Sequence, residues 1–237
     1  MIRVIFIIIV NALITVICAI IGLLDIPLLR KGKLEGKFEK IWAGLILKVS
    51  GVSVSVQGLE NINKNKQYVF VANHLSMFDI PAVISAIPNE MKMLAKKELF
   101  RIPLFGWVMY AGRHIRIDRQ NRERAIHSLD SAVERLKKED ISILVYAEGT
   151  RSPDGEIKNF KKGAFVLAIR SGVPIVPVTI SGSREIVPKK SLKINKGTIR
   201  IFIDKPLETK NFTLDDKDFL LKKVRELIVS RYESINI

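Results

Sequence analysis

Asn73-His74-Leu75-Ser76-Met77-Phe78-Asp79 places an imidazole and a carboxylate five positions apart, just after the apolar run Tyr68–Ala72. An imidazole titrates near neutral pH and can take a proton from an alcohol. A carboxylate beside it fixes the tautomer and stabilises the imidazolium that forms. The chemistry this suggests is acyl or phosphoryl transfer to a hydroxyl. A plainer reading stays open, because Ser, Asp and Asn are the usual helix-capping residues. Five residues at 3.6 per turn leave His74 and Asp79 about 140° apart on a helix, so they cannot share one face. His74 is expected in the turn after a strand, with Asp79 at the start of the next helix. Ser76-x-x-Asp79 has the form of a capping box. Ser76 as N-cap puts Pro81 in the second turn, where its missing N–H costs a bond; Asp79 as N-cap puts it in the tolerated first turn.

Glu148-Gly149-Thr150-Arg151-Ser152 is the second constellation, directly after Ile141–Tyr146. Arginine grips phosphate in a two-pronged way, and glycine permits close backbone approach. Pro153-Asp154-Gly155 follows, so a simple polar turn is the competing reading. A third feature is basic density: Lys96, Lys97, Arg101, Arg113, Arg116, Arg119, Arg122 and Arg124 fall between Lys92 and Arg124. Arg113, Arg116 and Arg119 lie near the apolar stretch Leu104–Ala111, where long cations can line a pocket or meet anionic lipid. GxSxG, GxxxxGK[ST] and GxGxxG are all missing from the sequence. The chain has one cysteine, three histidines and no HExxH, which argues against a zinc hydrolase; no metal or cofactor is expected.

These groups need a frame. Val52–Val56 alternates at period two and reads as a strand. Tyr68–Ala72, Ile141–Tyr146 and Pro174–Ile180 read as buried strands, and Ile199–Ile203 as another. Helical patterns lie between them: Ile126, Leu129, Val133 and Leu136 form one stripe, Ala164–Arg170 is a second candidate, and Leu220, Val224, Leu227 and Ile228 form a third. Strands alternating with helices predict an α/β domain around a mainly parallel sheet.

The formal net charge of +15 is shared with nucleic-acid binders, but 48% hydrophobic content and an apolar N-terminus are not. Anionic membrane surfaces and phosphorylated substrates are the expected partners, and nucleic acid is not. Val4–Leu24 carries no charge. At 1.5 Å per residue it makes a helix of about 31 Å, matching a hydrocarbon core of about 30 Å. Arg30, Lys31 and Lys33 follow and favour a cytoplasmic location for the rest. Phe38, Ile41, Trp42, Leu45, Ile46 and Val49 form an apolar stripe beside Lys37, Lys40 and Lys48, as in an interfacial helix. Residues 1–50 are therefore expected to be a membrane-anchoring two-helix segment and 51–237 a catalytic domain. The two helices can form a hairpin in one leaflet, or the first can span.

Together the motifs resemble the 1-acyl-sn-glycerol-3-phosphate acyltransferases of the PlsC type. NHxSxxD matches Asn73–Asp79, and the Ile-Asp-Arg that ends the second motif matches Ile117-Asp118-Arg119. FPEGTRS matches Tyr146–Ser152, with Tyr146-Ala147 in place of Phe-Pro, and VPIVPV matches Val173–Val178. Lys96-Lys97-Glu98-Leu99 and Phe160–Phe165 match two further segments, all in family order from about residue 48 to 206. Gly112–Ile117 is one residue longer than usual. The resemblance implies the glycerolipid acyltransferase fold with an N-terminal membrane-inserting helical hairpin. It implies His74 and Asp79 as the catalytic dyad, with Glu148, Gly149, Thr150, Arg151, Arg119 and Lys96 binding substrate. The acyl donor would be acyl-CoA or acyl-carrier protein, the acceptor lysophosphatidic acid, and the location the cytoplasmic face of the cell inner membrane. Another acceptor, such as glycerol 3-phosphate or a lyso-lipid, is the alternative within the enzyme class. A non-catalytic anionic-lipid binder is the alternative outside it.

Overall fold

The computed structural model describes residues 1–29, 35–189 and 191–235. Arg30, Lys31 and Lys33 lie outside them. Two helices come first, α1 (Ile2–Leu29) and α2 (Glu35–Ser50), followed by β1 (Val52–Gln57) and β2 (Val69–Ala72). Next are α3 (Asp79–Ala86), β3 (Met91–Lys96), α4 (Phe105–Ala111), β4 (Ile115–Ile117), α5 (Arg122–Lys138) and β5 (Ser142–Tyr146). The chain continues with α6 (Gly163–Ser171), β6 (Ile175–Ser181), the short α7 (Ser183–Ile186), β7 (Gly197–Ile203) and α8 (Lys217–Ile235).

The strands form one sheet in the order β1-β7-β6-β2-β5-β3-β4. Every pairing is parallel except β6 with β7. The expected mainly parallel α/β sheet is thus present. Its central strands are buried on both faces, which explains their unbroken apolar runs. Val69, Val71, Ile143 and Val145 face Leu129 and Val133 of α5, Phe165 of α6 and Val224 of α8. Phe70, Ala72 and Leu144 face Ala82 and Val83 of α3, Ile46 of α2 and Ile7 of α1.

β3 and β4 are absent from the sequence reading. Met91-Lys92-Met93-Leu94-Ala95-Lys96 does not alternate and has no β-branched residue. It is extended because β5 and β4 pair with it on either side. Lys92 is buried there, with its Nζ 3.2 Å from Glu90 Oε1. The start of α3 also differs from both expected caps. The N-cap is Phe78, with no side-chain bond, so Asp79 is the first helical residue and Pro81 stays in the first turn. Asp79 does not cap because its carboxylate is committed to the preceding loop.

The apolar helix is not freestanding. Val4, Ile7, Asn11, Thr15, Ala19 and Gly22 lie along its inner side, where Asn11 Nδ2 donates to Ser50 Oγ (3.1 Å) and Trp42 Nε1 to Thr15 Oγ1 (3.0 Å). Ile5, Phe6, Ile9, Leu13, Ile17, Ile20 and Leu24 stay exposed. The stretch Ile2–Leu24 is long and apolar enough to cross a membrane, with a mean hydropathy of 3.2.

Candidate active site

Ala72 at the end of β2 pairs with Tyr146 at the end of β5, so the loops that follow emerge together at the carboxyl edge of the sheet, where α/β folds bind ligands. Asn73 fixes the first loop. Its Nδ2 donates to Ile180 O (2.9 Å) and its Oδ1 accepts from Ile180 N (2.8 Å), fully buried. His74 follows and is held from four directions. Its N–H donates to Glu148 Oε1 (2.7 Å), and its carbonyl accepts from Ser152 N (2.8 Å). Its ring stacks on Tyr146, with centroids 4.1 Å apart and planes at 21°. Its Nδ1 lies 2.7 Å from Asp79 Oδ2.

That last contact sets the chemistry. Asp79 Oδ2 also accepts from the backbone N–H groups of Leu75 (2.7 Å) and Ser76 (2.9 Å). Two backbone N–H groups already make that oxygen an acceptor, so the ring meets it as a donor from Nδ1, which leaves Nε2 as the free lone pair. Ser76 locks the turn, its Oγ donating to Val187 O (2.9 Å) and accepting from Phe78 N (3.3 Å). His74 keeps 14% side-chain exposure while Asp79 is fully buried. The imidazole is therefore open to the surface while its carboxylate stays dry, which strengthens the pairing.

Glu148 is buried with both oxygens occupied by main chain, from His74 N and Lys158 N (3.0 Å). Burial pushes its carboxyl up from the ordinary value, against the pull of those two N–H groups. Its geometry is that of a bracket holding the histidine loop. Gly149 has φ +70°, a left-handed conformation costly for any residue with a Cβ, and a Cβ there would press on Lys161. Arg119 reaches across to donate to the Gly149 carbonyl. Thr150 is exposed and Arg151 half-buried next to it. Lys189 Nζ bonds the Arg151 carbonyl (2.5 Å) and lies 3.5 Å from Thr150 Oγ1. Lys96, in contrast, pairs with its neighbour Glu98 at 3.6 Å and touches none of these groups. Sequence reasoning missed the stacked face of Tyr146, the brace from Lys189 and the Ser152–His74 bond. Ser152 Oγ is itself tied to Asp154 Oδ1 (2.7 Å), so part of the motif's serine signal is turn chemistry.

Two cavities open near the sheet, one against this loop and one farther along. One, of about 400 Å³, is apolar and lies between α1, α2, α3 and α4. Met77 and Phe78, from within the His74–Asp79 segment, line it with Trp42, Met93 and Met109. His114 also lines it, buried, with Nε2 3.1 Å from Glu39 Oε1. The other, of about 290 Å³, is basic and includes His127. Among the described residues no cluster of His, Cys, Asp and Glu could hold a metal ion.

Comparison with known proteins bears on what the arrangement does. A family model described as Acyltransferase matches residues 53–181. A 1-acyl-sn-glycerol-3-phosphate acyltransferase of Saccharomyces cerevisiae is 37% identical over 78% of this chain and 61% of its own length. One from Limnanthes douglasii is 33% identical over 85% of this chain and 70% of its own. The chain thus spans about three fifths to seven tenths of these two relatives. The crystal structure of the 1-acyl-sn-glycerophosphate acyltransferase PlsC from Thermotoga maritima superposes with a TM-score of 0.85 at 28% identity, covering 99% of this chain and 95% of that one.

Proposed function

The chain belongs to the acyltransferase family, and from that premise we propose that it acylates the sn-2 hydroxyl of a 1-acyl-glycerol 3-phosphate, making phosphatidic acid. The observation that carries this reading is the His74 ring, tied at Nδ1 to buried Asp79 at the edge of the sheet, an arrangement that leaves Nε2 to act as the base. Nε2 takes the proton of the acceptor hydroxyl, and the oxygen attacks the thioester carbonyl of acyl-CoA or acyl-carrier protein. The tetrahedral intermediate collapses, and the departing thiolate receives the proton back from the imidazolium. The enzyme forms no covalent intermediate. Asp79 stabilises the transient cation, and the apolar cavity beside Met77 and Phe78 takes acyl chain. Arg151 and Arg119 supply positive charge for the acceptor phosphate, with Lys96 able to swing in from the rim. Gly149 and Thr150 shape that edge, and Glu148 holds the loop rather than the ligand. Residues 1–50 anchor the 51–237 catalytic domain to the cytoplasmic face of the inner membrane, where acceptor and product reside.

Release of free thiol is the test. Purified protein is given lysophosphatidate with acyl-CoA or acyl-carrier protein, beside its His74→Ala variant. Thiol release with lysophosphatidate that disappears in the variant supports the reading. Turnover only with glycerol 3-phosphate or another lyso-lipid moves the activity to that acceptor. Binding to anionic vesicles without thiol release reduces the protein to a lipid binder.

A further inference from the structure

Beyond the carboxyl ends of β3 and β4 lies the basic cavity, lined by Lys97, Arg101, Arg116, Asp118, Arg124 and His127. We propose that it binds the phosphate-bearing head of the acyl donor, a proposal that rests on the acyl-transfer reading above. Four fixed cations face a single carboxylate there, an excess of three positive charges. The carboxylate does not cancel the site but organises it. Asp118 is buried, with its Oδ2 2.7 Å from Lys97 Nζ and 3.6 Å from Arg124 Nη1, and its Oδ1 accepts from Gln120 N (3.1 Å). Arg116 is steadied from another side, its Nη1 donating to Tyr110 Oη (3.1 Å). Positioned guanidinium groups around a concave space suit a phosphate, which takes them two-pronged.

Position selects the donor over the acceptor. His74 follows β2, and the cavity follows β3 and β4, which stand two and three strands away. At about 4.8 Å per strand the separation is roughly 10–14 Å. The acceptor's phosphate is joined to its reacting hydroxyl by only a few bonds, so a hydroxyl at Nε2 keeps that phosphate close to His74. The donor is different. Its reacting carbonyl stands at the end of a long pantetheine arm, with the phosphates at the far end of that arm. With the acyl chain in the apolar cavity, the arm leaves along the sheet edge past Arg119 and Gly149. Its phosphates then fall at the basic cavity. Both donor types share this chemistry, as a nucleotide 3′-phosphate and diphosphate in coenzyme A or a phosphodiester on a carrier protein.

The test uses the full chain in detergent micelles. Arg101 and Arg124 are exposed and form no part of the core, so an Arg101→Glu/Arg124→Glu double variant is compared with the parent, with thermal unfolding as the check on folding. Equilibrium binding of adenosine 3′,5′-diphosphate is the primary readout, because it needs no turnover. It is expected to weaken about tenfold or more in the double variant, and to be unchanged in His74→Ala. Kinetically, KM for acyl-CoA rises, and the parent's preference for acyl-CoA over its 3′-dephospho form is lost. KM for lysophosphatidate stays, whereas Arg151→Ala moves that constant instead. A phosphodiester-linked carrier-protein donor lacks the 3′-phosphate, so a rise in KM for that donor alone assigns the cavity to the carrier. A double variant whose acceptor KM rises while both donor constants hold overturns the proposal in favour of a lipid headgroup. Unaltered binding and unaltered constants overturn it in favour of a solvated basic face. Lost nucleotide binding in a protein inactive on every acceptor would retain the site and sink the acyl-transfer reading alone.

Discussion

Asp79→Asn removes one charge and almost no volume, which makes it a sharp test of the dyad. The side-chain oxygen of asparagine can replace Oδ2 and keep the bonds from Leu75 N, Ser76 N and His74 Nδ1. The amide nitrogen then stands where Oδ1 stands now, a buried position with no hydrogen-bond partner. An unpaired buried donor costs about 1–3 kcal/mol of stability. The folded state should therefore survive with a modestly lower Tm. Catalysis fares worse, because the imidazolium that forms on Nε2 loses its counter-charge. Where such an exchange also misplaces the ring proton, kcat falls about 10⁴-fold, equivalent to about 5.4 kcal/mol of barrier; with the amide oxygen held toward Nδ1 by the two backbone donors, that figure is the ceiling on the loss. The assay is single-turnover thiol release with lysophosphatidate and acyl-CoA, with circular dichroism to verify folding. An Asp79→Asn protein that retains more than a tenth of the parent rate refutes the claim that this carboxylate stabilises charge on His74. Inactivity with collapsed secondary structure refutes the near-isosteric account of the exchange.

Asn73→Ala leaves the buried N–H and C=O of Ile180 without their side-chain partner, so unfolding stability should fall by about 2–6 kcal/mol, read as a lower denaturant midpoint. A midpoint within experimental error of the parent would show that these bonds do not fix the β2 loop. Lys97 holds the Asp118 carboxyl below its ordinary range, chiefly through their hydrogen bond. A carboxyl depressed in the folded state contributes stability above its unfolded pKa, near 3.9, and loses it as pH falls through the lower folded value. Asp118→Asn should therefore flatten the acid limb of Tm against pH, and an unchanged limb contradicts the pairing.

What the sequence revealed depended on how each residue works. Strands β1, β2, β5, β6 and β7 were legible because burial on a sheet writes itself into apolar patterns. β3 was not, because its extended state is imposed by neighbouring strands on a Met- and Lys-rich segment. The histidine and aspartate were legible by type and spacing, and so was their placement at the loop and the helix start. Glu148 was legible as important but not in what it does. A motif cannot show that both carboxylate oxygens are filled by backbone N–H groups. Lys96 and Lys97 are adjacent in the chain, yet only Lys97 turns toward Asp118, since successive residues at a strand end point to opposite sides.

α1 has two faces with different obligations. Its outward isoleucines and leucines are left uncovered by the rest of the protein, so any apolar residue of helical propensity serves there. Asn11, Thr15, Ala19 and Gly22 are at once part of the helix that would enter lipid and part of the wall of the 400 Å³ cavity. Cutting away the first helix to obtain a freely soluble enzyme would therefore also unroof that cavity. A water-soluble form is better sought by recolouring the outer face with polar residues while leaving the inner one untouched. Over evolutionary drift, the outer face can wander among apolar residues, whereas the inner face must change in step with α2 and α4.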